Sequence, residues 1–205
     1  MASSTPVRAA APRSLTDDTA ARIVDAALTC FTHYGLSKTT VEDVAAEAGC
    51  SRATLYRYFP GKQALIDGVV HAEVRRVAAD LDAVLTGAES LEDLVVETLC
   101  VLGHEFTSHD ALQRVLEIEP EVVLPHVAFD GAGRVVATAS IMLAPYLVRF
   151  VEPAHVARVG EWIGRIALTY LFCPSEHVSL TDPDSIRRLV RDFVLPGIDP
   201  TSTRG

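Results

Sequence analysis

The segment from Thr40 to Lys62, TVEDVAAEAGCSRATLYRYFPGK, leaves the chain little choice of local structure. Thr40 with Asp43 fits a capping-box start, and Val44, Ala45 and Ala48 then share one helical face until Gly49 closes the run. Ser51 offers a second cap at once, and Leu55 and Phe59, four residues apart, form the inner face of another short helix that Pro60-Gly61 ends. At about 100° per residue, Ala53 and Arg57 point away from that face, Arg52 and Tyr56 take one flank, and Thr54 and Tyr58 take the other. A helix with so narrow an apolar strip has guanidinium, hydroxyl and phenol groups left to offer outward.

The surrounding pattern is helical throughout. Thr16-Asp17-Asp18 supplies a cap and first-turn acids, and Ile23, Ala26, Ala27, Cys30, Phe31 and Tyr34 repeat at helical spacing until Gly35. A long fourth helix opens near Lys62 and turns Leu65, Val69, Val70, Val74, Val77, Ala78, Leu81 and Leu85 inward, so it can join two domains. Further helices are expected at about 91–107, 110–118, 121–128, 132–150, 154–173 and 183–195, divided by Gly, Pro or Asp-Pro. No strand pattern competes, so the expected fold is all-α. A three-helix unit over 15–62 is joined by a long helix to a helical domain over 63–198, with flexible tails at 1–14 and 199–205.

Composition narrows the class of function. Of 205 residues 49% are apolar and 22% charged, which is a soluble globular balance. The start lacks an apolar run of signal-peptide length, and the run Ala139 to Val148 is broken by Ser140 and Pro145, so a cytoplasmic protein with no membrane partner is expected. Cys30, Cys50, Cys100 and Cys173 form no Cys-x-x-Cys pair and read as buried free thiols. His104 and His109 are five residues apart where a helical zinc motif needs four, and no nucleophile motif or phosphate-cradling glycine loop occurs. No metal, no cofactor and no enzymatic activity are therefore expected.

The net charge of −9 is unevenly placed. Residues 1–62 carry +1 and residues 63–205 carry −10, and the only two lysines, Lys38 and Lys62, flank the two-helix segment. An acidic remainder cannot lie on phosphate, so any contact with nucleic acid falls to the N-terminal part. Two helices joined by a tight turn suit that task as a helix-turn-helix: the first braces on the backbone and the second enters the major groove, where each base pair shows its own donor and acceptor pattern. Arg52 suits a guanine and the Ala53 methyl a thymine, while Thr40, Tyr56, Arg57, Tyr58 and Lys62 suit phosphates. The competing reading packs Tyr56 and Tyr58 on the neighbouring helices and leaves Arg52 and Arg57 as a solvated face.

From about Thr16 to Leu65 the chain resembles the DNA-binding region of TetR-type regulators. The likeness lies in a first helix ending in Tyr34-Gly35, the string from Thr39 to Gly49, the string from Ser51 to Phe59, and Lys62; Pro60-Gly61 departs from the polar pair common before that lysine. The resemblance implies an all-helical homodimer whose C-terminal region binds a small-molecule effector and thereby releases a double-stranded DNA operator. It implies DNA contacts at Thr40, Ser51, Arg52, Ala53, Thr54, Tyr56, Arg57, Tyr58 and Lys62.

For the larger domain the residues give two expectations. The uncharged segment Ile166 to Cys173 and the apolar repeat Ile186, Leu189, Val190, Phe193 and Val194 point to a four-helix dimer interface, with Gly160 and Gly164 permitting close helix approach and Val159, Gly160, Ile163, Ile166 and Tyr170 contributing from the earlier helix. The alternative is that these residues form the protomer's own core. His104, Phe106, Met142, Tyr146 and Trp162 are candidate linings of an effector pocket for a largely apolar molecule. The leading expectation is thus a ligand-responsive repressor of a bacterial cytoplasm, and the rivals are an activator of the same fold and an enzyme or metal-binding helical bundle.

Overall fold

A computed structural model describes residues 15–121 and 129–198. The tails at 1–14 and 199–205, and all but the first residue of the helix expected at 121–128, lie outside the described residues. The described residues are all-α, with no strand. In order they form α1 (Leu15–Tyr34), α2 (Val41–Glu47), α3 (Arg52–Tyr58), α4 (Lys62–Leu85), α5 (Leu91–Ser108), α6 (Asp110–Ile118), α7 (Phe129–Leu147), α8 (Val156–Phe172) and α9 (Pro183–Leu189). A π-helical turn, Val190–Val194, and a last turn, α10 (Leu195–Ile198), follow α9.

Apolar burial gathers these helices around two centres. Ile23, Ala27, Phe31, Val44 and Leu55 form the first, and Leu65 and Val69 of α4 belong to it. Leu94, Leu99, Leu147, Ile163 and Ile186 form the second, and Leu81 and Leu85 from the far end of α4 belong to that one. One helix therefore has a stake in both cores, as its length led us to expect. Val70 differs from expectation: it is 52% exposed, because it lies on the face of α4 that neither core covers. α6 makes a second connection, since Val115 is buried in the first core.

Polar contacts fix α4 against the larger core. The Tyr146 hydroxyl donates to Asp82, and Arg149 donates to the carbonyls of Leu85 (3.3 Å), Thr86 (3.3 Å) and Ala88 (2.6 Å), which caps the C-terminal end of α4. The bond to Asp82 pushes the Tyr146 phenol up to about 12. Nearer the middle, Glu73 accepts from Arg76 at 2.9 Å and meets His109 Nε2 at 2.9 Å, while Arg76 also reaches Glu105 on α5. His109 accepts the Leu112 N–H at Nδ1 (3.1 Å) as the N-cap of α6, so its Nε2 carries the proton given to Glu73. The His104–His109 string thus caps a helix and ties three helices together.

Six of the nine residues expected at a dimer interface lie inside the protomer. Val159, Gly160 and Ile163 are buried within the protomer, as are Ile186, Leu189 and Val190. Their faces meet the chain's own core, which periodicity alone could not distinguish from a partner. Gly160 and Gly164 do allow close approach, but to α7: a Cβ on Gly160 would come within 2.8 Å of Ser140 Oγ, and one on Gly164 within 3.3 Å of Ala139 Cβ. Phe193, expected beside Val190, is 71% exposed, on a π-helical turn whose Val190 and Val194 stay buried. Ile166 and Tyr170 are half-buried, and Thr169 and Cys173 of the uncharged segment are exposed.

Glu73 yields a test of the α4 clamp. Burial pushes its carboxyl up, but the bonds from Arg76 and His109 outweigh that and hold it below its usual range. A depressed carboxyl contributes stability above its unfolded value of about 4.3, and that stability is lost as pH falls through the lower folded value. Urea midpoints followed from about pH 5 to 3 should fall more steeply for the natural protein than for Glu73→Gln, and equal slopes would contradict the clamp.

Candidate nucleic-acid interface

The face that α3 presents is set by the turns on either side of it. α1 ends at Gly35, whose φ of +84° suits glycine, and the buried Thr39 hydroxyl bonds the carbonyls of Gly35 (2.7 Å) and Cys30 (3.2 Å). Between them Ser37 is gripped on both sides. Its N–H donates to the buried Glu119 carboxylate (2.9 Å to Oε2), and its carbonyl accepts from Lys62 Nζ at 2.9 Å. α2 then opens with the expected capping box: Thr40 N–H donates to Asp43 Oδ2 at 2.9 Å and Asp43 N–H to Thr40 Oγ1 at 3.2 Å. The Thr40 hydroxyl, which donates to Asp43 Oδ2 at 2.6 Å, and the Thr40 N–H hold the exposed Asp43 carboxyl below its usual range.

The turn between α2 and α3 is equally determined. Gly49 adopts φ +60°, and the Cys50 N–H returns to the Ala45 carbonyl at 3.0 Å. From α1, Arg22 Nε donates to the Ala48 carbonyl at 3.1 Å, which fixes the end of α2 to α1. Ser51 caps α3 by accepting the Thr54 N–H at 3.1 Å. At the far end the Phe59 ring lies on α4 where Gly68 leaves room, since a Cβ there would come within 2.7 Å of Phe59 Cε1.

What remains of α3 faces outward. Leu55 is its one buried residue. Ser51, Arg52, Ala53, Tyr56 and Arg57 are exposed, with Tyr56 43% so, and Thr40 at the head of α2 is exposed beside them. Thr54, Tyr58 and Lys62 are half-buried. Tyr58 packs partly on the first core, so the packing alternative holds for it in part and does not hold for Tyr56. Arg57 lies over the Tyr58 ring with Cζ 5.1 Å from its centroid. Arg52 pairs with Glu42 of α2 at 2.7 Å and sits 5.7 Å from the Tyr56 centroid. Of the nine predicted residues six are thus exposed and three half-buried, and Arg52, Arg57 and Lys62 among them carry positive charge.

The predicted effector residues are not gathered at one site. His104 is exposed, and Phe106 lies edge-to-face with Phe172 at 5.2 Å. Met142 packs at the margin of the larger core and Tyr146 is engaged with Asp82. Trp162 lines an open concavity of about 480 Å³ with Arg158, Val159, Gly197 and Ile198. A second open concavity, about 420 Å³, is lined by Val84, Gly87, Ala88, Glu89, Asp93 and Glu97 and includes none of the five. Among the described residues no group of three or more His, Cys, Asp or Glu is placed to hold a metal, and no helix is long and apolar enough to cross a membrane.

Sequence reasoning missed Glu42, Glu119, Arg22 and Arg149. Glu119 and Arg149 act on partners 82 and 61–64 residues away, which no local pattern encodes.

Comparison with known proteins places this surface in a family. Residues 23–69 match the profile of bacterial regulatory proteins of the tetR family. The chain is 29% identical over 200 residues to an uncharacterised HTH-type transcriptional regulator of Mycobacterium tuberculosis, covering 91% of this chain and 89% of that one. It is 32% identical over 150 residues to the HTH-type transcriptional regulator BetI of Agrobacterium fabrum, covering 68% of each. Among solved structures, the TetR family repressor AlkX from Dietzia superimposes with a TM-score of 0.64 at 24% identity, covering 87% of this chain and 94% of that one.

Ser51 separates the cap from the surface it exposes. Ser51→Ala should cost about 1 kcal/mol of unfolding free energy, while Ser51→Asp, itself a good cap, should stay within about 0.5 kcal/mol of the natural protein in urea titrations. A loss as large for aspartate as for alanine would contradict the capping role.

Proposed function

The chain belongs to the TetR family of bacterial regulatory proteins, and on that premise we propose that it is a homodimeric, cytoplasmic repressor released from a pseudo-palindromic operator by a small, largely apolar effector. The observation that carries this reading is the exposed polar ridge from Ser51 to Arg57 on a helix with one buried residue. Such a helix can enter a major groove without disturbing the core behind it. Arg52 and Ala53 read bases, while Thr40, Ser51, Thr54, Tyr56, Arg57, Tyr58 and Lys62 meet phosphates and fix register. The reading unit runs from residue 15 to about 62 and draws on the first turns of α4 for its core; the rest binds effector and partner and takes no catalytic part.

Dimerisation follows from what a single reading helix can do. One helix reads a few base pairs, and two, related by a two-fold axis, read half-sites roughly 34 Å apart. Phe193, 71% exposed, and the half-buried Ile166 and Tyr170 are the predicted interface residues that reach the surface of the protomer, and we place the contact there. Val159, Gly160, Ile163, Ile186, Leu189 and Val190 support that surface from behind.

Release proceeds through α4. The helix is clamped at its C-terminal end by Tyr146 and Arg149 and at its middle by Glu105 and His109, so a shift in α5 or α7 moves it. Because Leu65 and Val69 lie in the first core, α3 moves with it and the two reading helices lose their spacing. The effector acts only through its preference for the released arrangement.

Selection of genomic fragments by the purified protein, followed by sequencing, should yield a pseudo-palindrome, and the absence of any enriched sequence would overturn the reading. On that operator, binding should weaken steeply with salt. Lys62→Ala should reduce the slope of log affinity against log salt by about one with base preference unchanged. Arg52→Ala should relax preference at one position of each half-site by roughly tenfold.

A further inference from the structure

Arg52 is held before any DNA arrives. It is the first residue of α3, its side chain is 62% exposed, and its Nη2 lies 2.7 Å from Oε1 of Glu42 at the start of α2. The Tyr56 ring bounds it on another side, 5.7 Å from Cζ to centroid. A pair this exposed adds little to stability, so its consequence has to be sought in direction. An arginine side chain in water spreads over many rotamers, and a carboxylate on one edge with a ring on another confines it. Glu42 meets the guanidinium at Nη2 alone, as an ion pair, and Tyr56 is its other neighbour, so N–H groups remain for the O6 and N7 acceptors of a guanine. Its charge, on the helix beside the reading helix, also opposes phosphates that approach out of register, which weakens binding to unrelated sequences.

We propose that Glu42 is a positioning residue for DNA reading, which sharpens base preference by holding the Arg52 guanidinium at the angle a guanine requires. The inference rests on the reading of α3 given above. It assigns a sequence-discriminating role to an acidic residue that meets no base itself. Glu42 also lies in the first turn of α2, where any carboxylate favours the helix, and the test has to separate the two roles.

Glu42→Asp separates them, because aspartate keeps the charge in the first turn of α2 but is one methylene too short to hold Arg52. The full-length natural protein, Glu42→Asp, Glu42→Gln and Arg52→Ala are each passed over a randomised double-stranded oligonucleotide library, and the selected pools are sequenced. Discrimination at the base pair that Arg52→Ala relaxes by roughly tenfold should fall by about threefold in both Glu42 variants, which keep the guanidinium but not its restraint. Glu42→Asp should retain the natural urea midpoint and salt slope. If Arg52→Ala relaxes that position while both Glu42 variants keep the natural preference, the positioning role is overturned and the reading of α3 survives. Loss of preference at a different base pair would make Glu42 a base reader and overturn the proposal too. An unchanged preference in Arg52→Ala would remove both.

Discussion

Seven residues cannot hold a helix in water by themselves, and α3 is tied to the protein by one fully buried side chain, Leu55. Everything else about the reading surface depends on that economy. With Leu55, the flanking caps and part of Tyr58 holding the helix, Arg52, Ala53, Tyr56 and Arg57 are released from packing. The caps carry the remaining burden. Ser51 takes up a backbone N–H at one end, and Phe59, seated on Gly68, orients the other.

The same economy explains why the helix can be moved as a unit. α2 and α3 lean on α1 and on the first turns of α4, while the opposite end of α4 lies in a separate core with its last carbonyls held by Arg149. A rigid rod anchored in two places transmits displacement, and the contact of Glu119 with Ser37 adds a second route through α6. In the release proposed above, converting a population from mostly bound-competent to mostly released takes a preference of about 10⁴-fold between arrangements. The acidic charge of the larger part, −10 over residues 63–205, keeps that part off the duplex.

Much of the reading unit was legible in the sequence because its determinants are local. The Thr40–Asp43 box, the Gly49 turn, the Ser51 cap and the inward face of α2 each depend on residues within four positions of one another, and each is found as expected. The larger region was legible as helices but not as partners. Gly160 and Gly164 announce a close approach without saying to what, and the structure answers with α7. The apolar repeat Ile186, Leu189, Val190, Phe193 and Val194 likewise could not say which members face the protomer's own core, and Phe193 alone of the five is exposed. Pocket linings depend on how several helices meet, and neither concavity gathers the five residues chosen for their chemistry.

The central claim is that α3 lies in a major groove, and chemical interference tests it directly. Guanine N7 is displayed only in the major groove and adenine N3 only in the minor groove, so methylating each blocks one mode of approach. With the selected operator, N7 methylation should abolish binding at guanines in two half-sites about one helical turn apart, and N3 methylation there should be tolerated. Binding blocked by N3 methylation and indifferent to N7 methylation would contradict the account.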